Sequence, residues 1–169
     1  DDLAPLVNVF QPIATGATVV ERHSLPFSME VTDNVRVGSV RMSLFADSDL
    51  DGVFGDDEVV EDTILVSPPY SGSIALRAID DYIETGLDPP NQLDMQFKVI
   101  ARDGIGNETV RTLPVTMLRN SAPEVTGIRV LDRRGFSLGG IDQIAEGHSL
   151  VFNVLAKDAE AGVDSASLY

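Results

Sequence analysis

The sequence predicts an all-β chain: one complete antiparallel β-sandwich followed by the opening of a second. Three observations lead there. Short β-rich runs alternate with turn residues along the first 119 positions, and the 14 glycines and 9 prolines of the chain fall mostly between those runs, the spacing of a sandwich rather than a helical fold. Leu93-Asp94-Met95-Gln96-Phe97-Lys98-Val99 alternates apolar with polar residues, so its odd positions should face a core. A frame also repeats, E-x-H-S-L-x-F, first from Glu21 to Phe27 and again from Glu146 to Phe152, 125 positions on.

Taken in chain order, strands are expected at 6–10, 24–31, 37–46, 59–66, 73–78, 93–101 and 109–118. Each is a run rich in β-branched, aromatic or other apolar residues, and each is bounded by Gly, Pro, Asp, Asn or Ser. The longest irregular connection is 80–92, which contains Pro89-Pro90 and could form a helical turn over 81–85. Seven strands suit an immunoglobulin-like topology.

The repeat sets the domain organisation. Ala4-Pro5-Leu6-Val7 matches Ala122-Pro123-Glu124-Val125, Asp33 falls on Asp158, and residues 37–44 resemble 163–169. A period above one hundred residues means tandem domains and not a solenoid. The first unit is therefore 1–119 and the second, incomplete, is 120–169. About three strands cannot close a sandwich, since below ~60 residues too little surface is buried. Either the polypeptide has been cut, or its open edges pair with another copy by strand exchange or homodimerisation.

Composition excludes several function classes. With 27 acidic and 12 basic residues the formal charge is −15, unsuited to nucleic acid or to an anionic membrane surface. No stretch approaches the ~20 apolar residues of a membrane span. The chain opens Asp1-Asp2 without a leader-like segment, so an excised or mature piece is expected. There is no cysteine, hence no disulfide, thiolate metal site or cysteine nucleophile.

The most specific chemical signal is Asp47-Ser48-Asp49-Leu50-Asp51-Gly52-Val53-Phe54-Gly55-Asp56-Asp57-Glu58. Carboxylates at positions one, three, five and twelve around a glycine at six have the spacing of a calcium loop. Ca2+ takes six to eight oxygens at roughly 2.3–2.6 Å. On that template Asp47, Asp49 and Asp51 give one oxygen each, the Val53 carbonyl another, a water near Gly55 a fifth, and Glu58 a bidentate pair. Phe54 would be the apolar anchor. No Lys or Arg occurs between 42 and 76, so a cation is the natural means of ordering the segment. An Asp/Gly-rich stretch is also the composition of an ordinary solvated turn. Both flanks are β-rich, which points to a structural ion rather than a switch that opens a helix pair.

Other constellations carry less. His23 and His148 occupy equivalent repeat positions, which favours a structural role; neither neighbours a plausible nucleophile. Tyr70-Ser71-Gly72-Ser73 lacks a nucleophile elbow, and Asp80, Asp81 and Glu84 read as a solvated face rather than a glycosidase pair. Asp33 and Asp103 could form a second ion site, although turn-forming side chains are the commoner explanation. Asn107-Glu108-Thr109 matches a glycosylation sequon. With no Trp and 3 Tyr, aromatic platforms for sugars or single strands are lacking.

The chain resembles bacterial immunoglobulin-like and cadherin-like tandem repeats. The resemblance rests on residues 31–40, on Ile100-Ala101-Arg102-Asp103-Gly104-Ile105-Gly106-Asn107, and on the linker Asn120-Ser121-Ala122-Pro123. Residues 156–162 resemble the aspartate-bearing motif after the second cadherin strand, with Glu160 where aspartate is usual, and the linker lacks paired aspartates. The resemblance implies a non-catalytic, calcium-stabilised structural or adhesion repeat of a bacterial surface or secreted protein, with neighbouring repeats as partners. An accessory module of an extracellular hydrolase is the alternative, and a ligand-binding adhesin tip a third. A cysteine-free acidic chain with a calcium loop also leans towards an extracellular bacterial setting, where calcium is plentiful.

Overall fold

The computed structural model describes residues 3–12, 15–132 and 150–158. Two compact units divide the chain, Asp1–Arg119 and Asn120–Tyr169. Among the described residues the first holds eight strands: β1 (Leu6–Gln11), β2 (Ala17–Val20), β3 (Ser24–Thr32), β4 (Val37–Ala46), β5 (Val59–Leu65), β6 (Tyr70–Ala75), β7 (Gln92–Asp103) and β8 (Glu108–Leu118). They form a three-stranded sheet, β1-β3-β6, and a five-stranded sheet, β2-β8-β7-β4-β5. Every neighbouring pair is antiparallel except β2 with β8. Consecutive strands β3 and β4 lie in opposite sheets, which makes this an immunoglobulin-like β-sandwich.

The sequence reading misses β2 and places β6 three residues late. β2 has four residues, too short to show a period of its own, and takes its ladder from β8, from Ala17 opposite Val115 to Val20 opposite Leu118. Pairing with β3 sets β6, which begins at Tyr70 opposite Met29 directly after Pro68-Pro69 and ends at Ala75 opposite Ser24. In the connection after β6 the helical turn is a 3-10 turn at Ile79–Asp81.

Alternation decides the core. In β7 the side chains of Leu93, Met95, Phe97 and Val99 are buried, as the odd positions were expected to be. Met42 and Leu44 from β4 and Val115 and Met117 from β8 join them against Val7, Leu25, Phe27 and Met29 of the opposite sheet. Burying each large apolar side chain is worth roughly 1.5–3 kcal/mol relative to exposure. Phe27 and Phe97 link the sheets, with ring centroids 6.2 Å apart. Room for the Phe27 ring comes from Gly72 opposite it, where a Cβ would stand 2.8 Å from Phe27 Cζ.

The repeated frame has a structural explanation. Glu21 is buried, and its Oε2 accepts the Ile79 N–H at 2.7 Å, fixing the turn after β6. The His23 carbonyl accepts the Leu76 N–H at 2.9 Å, and its ring Nδ1 lies 3.1 Å from the Glu21 carbonyl. Leu25 and Phe27 supply core volume. His148, the second histidine of the frame, lies outside the described residues.

The chain enters and leaves this unit at opposite ends. Leu3 accepts from Asn107 Nδ2, beside the start of β8, whereas Arg119 follows the end of β8, a strand of eleven residues and thus roughly 35 Å long. Arg119 is held there: its N–H donates to the Asn91 carbonyl at 2.9 Å, its Nε to Pro90, and its Nη2 to Asp80.

In the second unit β9 (Glu124–Asp132) and β10 (Leu150–Lys157) form a two-stranded antiparallel sheet.

Candidate metal centre

The acidic loop spans the gap between β4 and β5, beside the chain exit. β4 ends at Ala46, and Asp47 continues its line by donating an N–H to the Asp94 carbonyl at 3.0 Å. A 3-10 turn at Asp56–Glu58 then delivers Glu58 immediately before β5. Asp47 and Glu58 are both buried, with 6% and 7% of their surface exposed. Two carboxylates from opposite ends of one loop are therefore withdrawn from water.

Between them the backbone curls around its own acids. The Asp51 N–H donates to Asp47 Oδ1 at 3.0 Å and to Asp49 Oδ1 at 3.1 Å, and the Gly52 N–H donates to Asp47 Oδ2 at 3.1 Å. The curl uses positive φ at Leu50 (62°) and Gly52 (78°), where the left-handed region favours glycine. Glu58 reaches back to accept from the Ser48 N–H at 2.6 Å, the Ser48 hydroxyl at 3.1 Å and the Gly55 N–H at 2.8 Å.

One carboxylate oxygen from each of Asp47, Asp49 and Glu58 falls within 4.8 Å of the others. Oxygens sharing an ion at about 2.4 Å can lie up to about 4.8 Å apart, so this all-oxygen, all-anionic donor set fits a hard divalent cation such as Ca2+. Of the residues expected as ligands, these three are brought together. Asp51 stands outside the group, its Oδ1 accepting the Val53 N–H at 2.7 Å, and Val53 is exposed. Phe54, the expected anchor, is half-buried in a shallow recess of about 290 Å³ beside Met95 and Pro114.

The electrostatics divide the buried pair. Loss of solvent pushes the Asp47 carboxyl up; the N–H groups of Gly52 and Asp51 pull the other way, while Glu58 and Asp49 add repulsion. Burial pushes Glu58 up as well, but the Gly55 and Ser48 N–H groups and the Ser48 hydroxyl outweigh it and leave this carboxyl below its ordinary value. A cation would offset the repulsion felt by Asp47 without displacing the donors that Glu58 already has.

Ser48 is the loop contact that sequence reasoning missed. It grips Glu58, and its carbonyl accepts the Glu84 N–H at 3.0 Å, tying the loop to the segment that holds Arg119. Its only sequence signal was a small hydroxyl residue at loop position two.

The other acids serve turns and ion pairs. Asp103 Oδ1 accepts three N–H groups, from Ile105, Gly106 and Asn107, at 2.6–2.9 Å. Burial pushes its carboxyl up, yet these bonds and the Asn107 side chain leave it below the ordinary range. Asp33 Oδ2 accepts from Val35 and Arg36 at 2.9 and 2.8 Å, while its buried Oδ1 has no hydrogen-bond partner among the described residues. Asp80 pairs with Arg119, and Asp62 with Arg41. Within the sequon, Asn107 Nδ2 donates to Asp103 Oδ2 at 2.7 Å. Glu160 lies outside the described residues.

No protein-family model matches the chain, and no curated protein matches it in sequence. Among solved structures it is similar to the fibronectin(III)-like modules of Clostridium thermocellum CbhA, at 16% identity and a TM-score of 0.42, covering 68% of this chain and 96% of that one. It is also similar to murine CRIg, at 12% identity and a TM-score of 0.39, covering 69% and 98%.

Proposed function

We propose that the chain is a non-catalytic structural module of a bacterial surface or secreted protein, linked to neighbouring repeats and braced by Ca2+ in its first unit. The convergence of Asp47, Asp49 and Glu58 within 4.8 Å carries this reading. The ion would supply the positive charge that the acidic loop lacks; Asp51 and the Val53 carbonyl remain the further expected ligands. Bracing is the effect to expect, because the loop joins the last core strand of one sheet to its edge strand and contacts the exit segment through Ser48.

A spacer role is supported by the path of the chain. It enters the first unit at one end and leaves at the other, where Arg119 is fixed by three residues of the preceding connection.

Calorimetry at millimolar Ca2+, paired with thermal unfolding before and after chelation, tests the reading. Binding heat and a melting temperature that falls on chelation are expected. No heat and an unchanged melting temperature would remove calcium from the function.

A further inference from the structure

Two sheet edges of the first unit open onto one cleft. β5 ends the five-stranded sheet and β6 ends the three-stranded sheet, so among the described residues each has a strand neighbour on one side only. A recess of about 350 Å³ runs between them, lined by Val60 and Glu61 from β5, by Ile74 and Ala75 from β6, and by Arg77 and Tyr82 from the segment after β6. Ile74 is buried, and the half-buried Val60 and Tyr82 pack against the core. The withdrawn part of the lining is therefore apolar. The exposed part is charged, with Asp57, Glu61, Asp81 and Arg77.

These charges do not neutralise one another. The ion pairs among the described residues are Arg41 with Asp62, Arg102 with Glu108 and Arg119 with Asp80; Arg77, Asp57, Glu61 and Asp81 belong to none of them. Glu58 also borders the cleft, but it is engaged by Ser48 and Gly55. Three exposed carboxylates favour a cationic occupant. The one guanidinium among them, with five donors and no acceptor, needs an acceptor as well. A metal ion or a polyamine meets the first demand and not the second. An extended peptide with basic side chains meets both, because its carbonyls accept.

β6 is the edge suited to receive such a segment. Its sequence, Tyr70-Ser71-Gly72-Ser73-Ile74-Ala75, keeps side chains small at Ser71, Gly72, Ser73 and Ala75, whereas β5 is built of bulkier residues throughout. An edge strand presents unpaired N–H and C=O groups to which an extended peptide can add. We propose that the cleft binds a basic, extended peptide segment of another protein, added as a strand along the free edge of β6. Arg77 donates to its carbonyls, Asp57, Glu61 and Asp81 meet its basic side chains, and an apolar side chain between them covers Ile74 and Tyr82. The proposal is independent of the calcium reading.

Titrating the full chain with short peptides in a single calcium buffer tests it. The probes are acetyl-Lys-Val-Lys-Val-Lys-amide, its glutamate counterpart, two versions N-methylated at the valines or at the lysines, and spermidine. The lysine peptide should bind and slow amide exchange over 70–75. The glutamate peptide, spermidine and at least one methylated version should bind about tenfold more weakly or not at all, because one row of backbone N–H groups in an added strand faces β6. Asp57→Asn combined with Asp81→Asn should weaken the lysine peptide about tenfold, and so should Arg77→Ala, the size of a lost charge-assisted contact. Tighter binding by Arg77→Ala, or spermidine binding as well as the peptide, would reduce the site to charge attraction and overturn the proposal. No binding at millimolar peptide, equal binding of all three lysine peptides, or protection in β5 without protection in β6 would overturn it too.

Discussion

Glu58 accepts the Ser48 N–H at 2.6 Å and the Ser48 hydroxyl at 3.1 Å, so the last acid of the loop is anchored to its second residue. The loop is thereby closed by its own hydrogen bonds, and the crowding of its carboxylates is what a cation would relieve. The ends of the segment are fixed by β4 and β5, which leaves the ion to act on the charges between them.

Calcium should raise stability by mass action. At a concentration one hundred times the dissociation constant, binding confined to the native state adds about 2.7 kcal/mol. For a unit of this size that is a rise of roughly 10 °C or more. Scanning calorimetry with and without chelator measures it, and magnesium should do less, since it demands a tighter octahedral shell.

Two substitutions should separate charge from anchoring. Asp47→Asn keeps a side chain of the same shape and removes a carboxylate whose ionisation burial opposes, but its amide nitrogen cannot accept the N–H that one carboxylate oxygen accepted; the metal-free protein should lose no more than about 1 kcal/mol, and the calcium-dependent shift should vanish. Glu58→Ala strips the partner from the N–H groups of Ser48 and Gly55, costing about 1–3 kcal/mol even without metal. A larger loss in Asp47→Asn than in Glu58→Ala, read from metal-free melts, would contradict this division.

Acid should expose the opposed shifts. Glu58 and Asp103 have folded values below their unfolded ones, so their contributions are present above the ordinary carboxylate range and are lost as pH falls through the folded values. Asp47 has the reverse sign: its folded value is raised, so its ionised form weakens the metal-free fold above that value and the penalty disappears as pH falls. Calcium affinity should weaken as Asp47 takes up its proton. Titrating calcium binding from pH 7 down to 4 measures this, and affinity constant across that range would contradict it.

Core variants should separate packing from charge. Phe97→Ala removes a fully buried ring that meets Phe27 across the sheets and should cost about 3–5 kcal/mol. Gly72→Ala drives a methyl into the Phe27 ring and should cost about 1–3 kcal/mol. Both costs should be the same with and without calcium, because neither residue touches the loop; denaturant melts in the two conditions compare them.

Glu21→Ala should report on the repeated frame. Glu21 Oε2 caps the buried turn at Ile79, and a hydrogen bond to a charged group is worth roughly 1.5–3 kcal/mol. Loss of about that size, with faster amide exchange at Ile79, is expected. Unchanged exchange at Ile79 would mean that the frame is kept for its core residues alone.

The sequence by itself determined the fold class, the odd-facing core of β7 and the spacing of the acidic loop, because a period of two and a twelve-residue spacing are local properties that need no partner to be read. Tertiary structure alone decided the rest. β2 exists because β8 offers it a ladder, and Ser48 matters because Glu58 folds back upon it. Asp51 stands apart from Asp47, Asp49 and Glu58, with its Oδ1 turned to the Val53 N–H. Burial, which pushes Asp47 up and sets the donors of Glu58 against it, belongs to the packed chain: it depends on which backbone groups crowd each acid, and spacing along a sequence does not specify that.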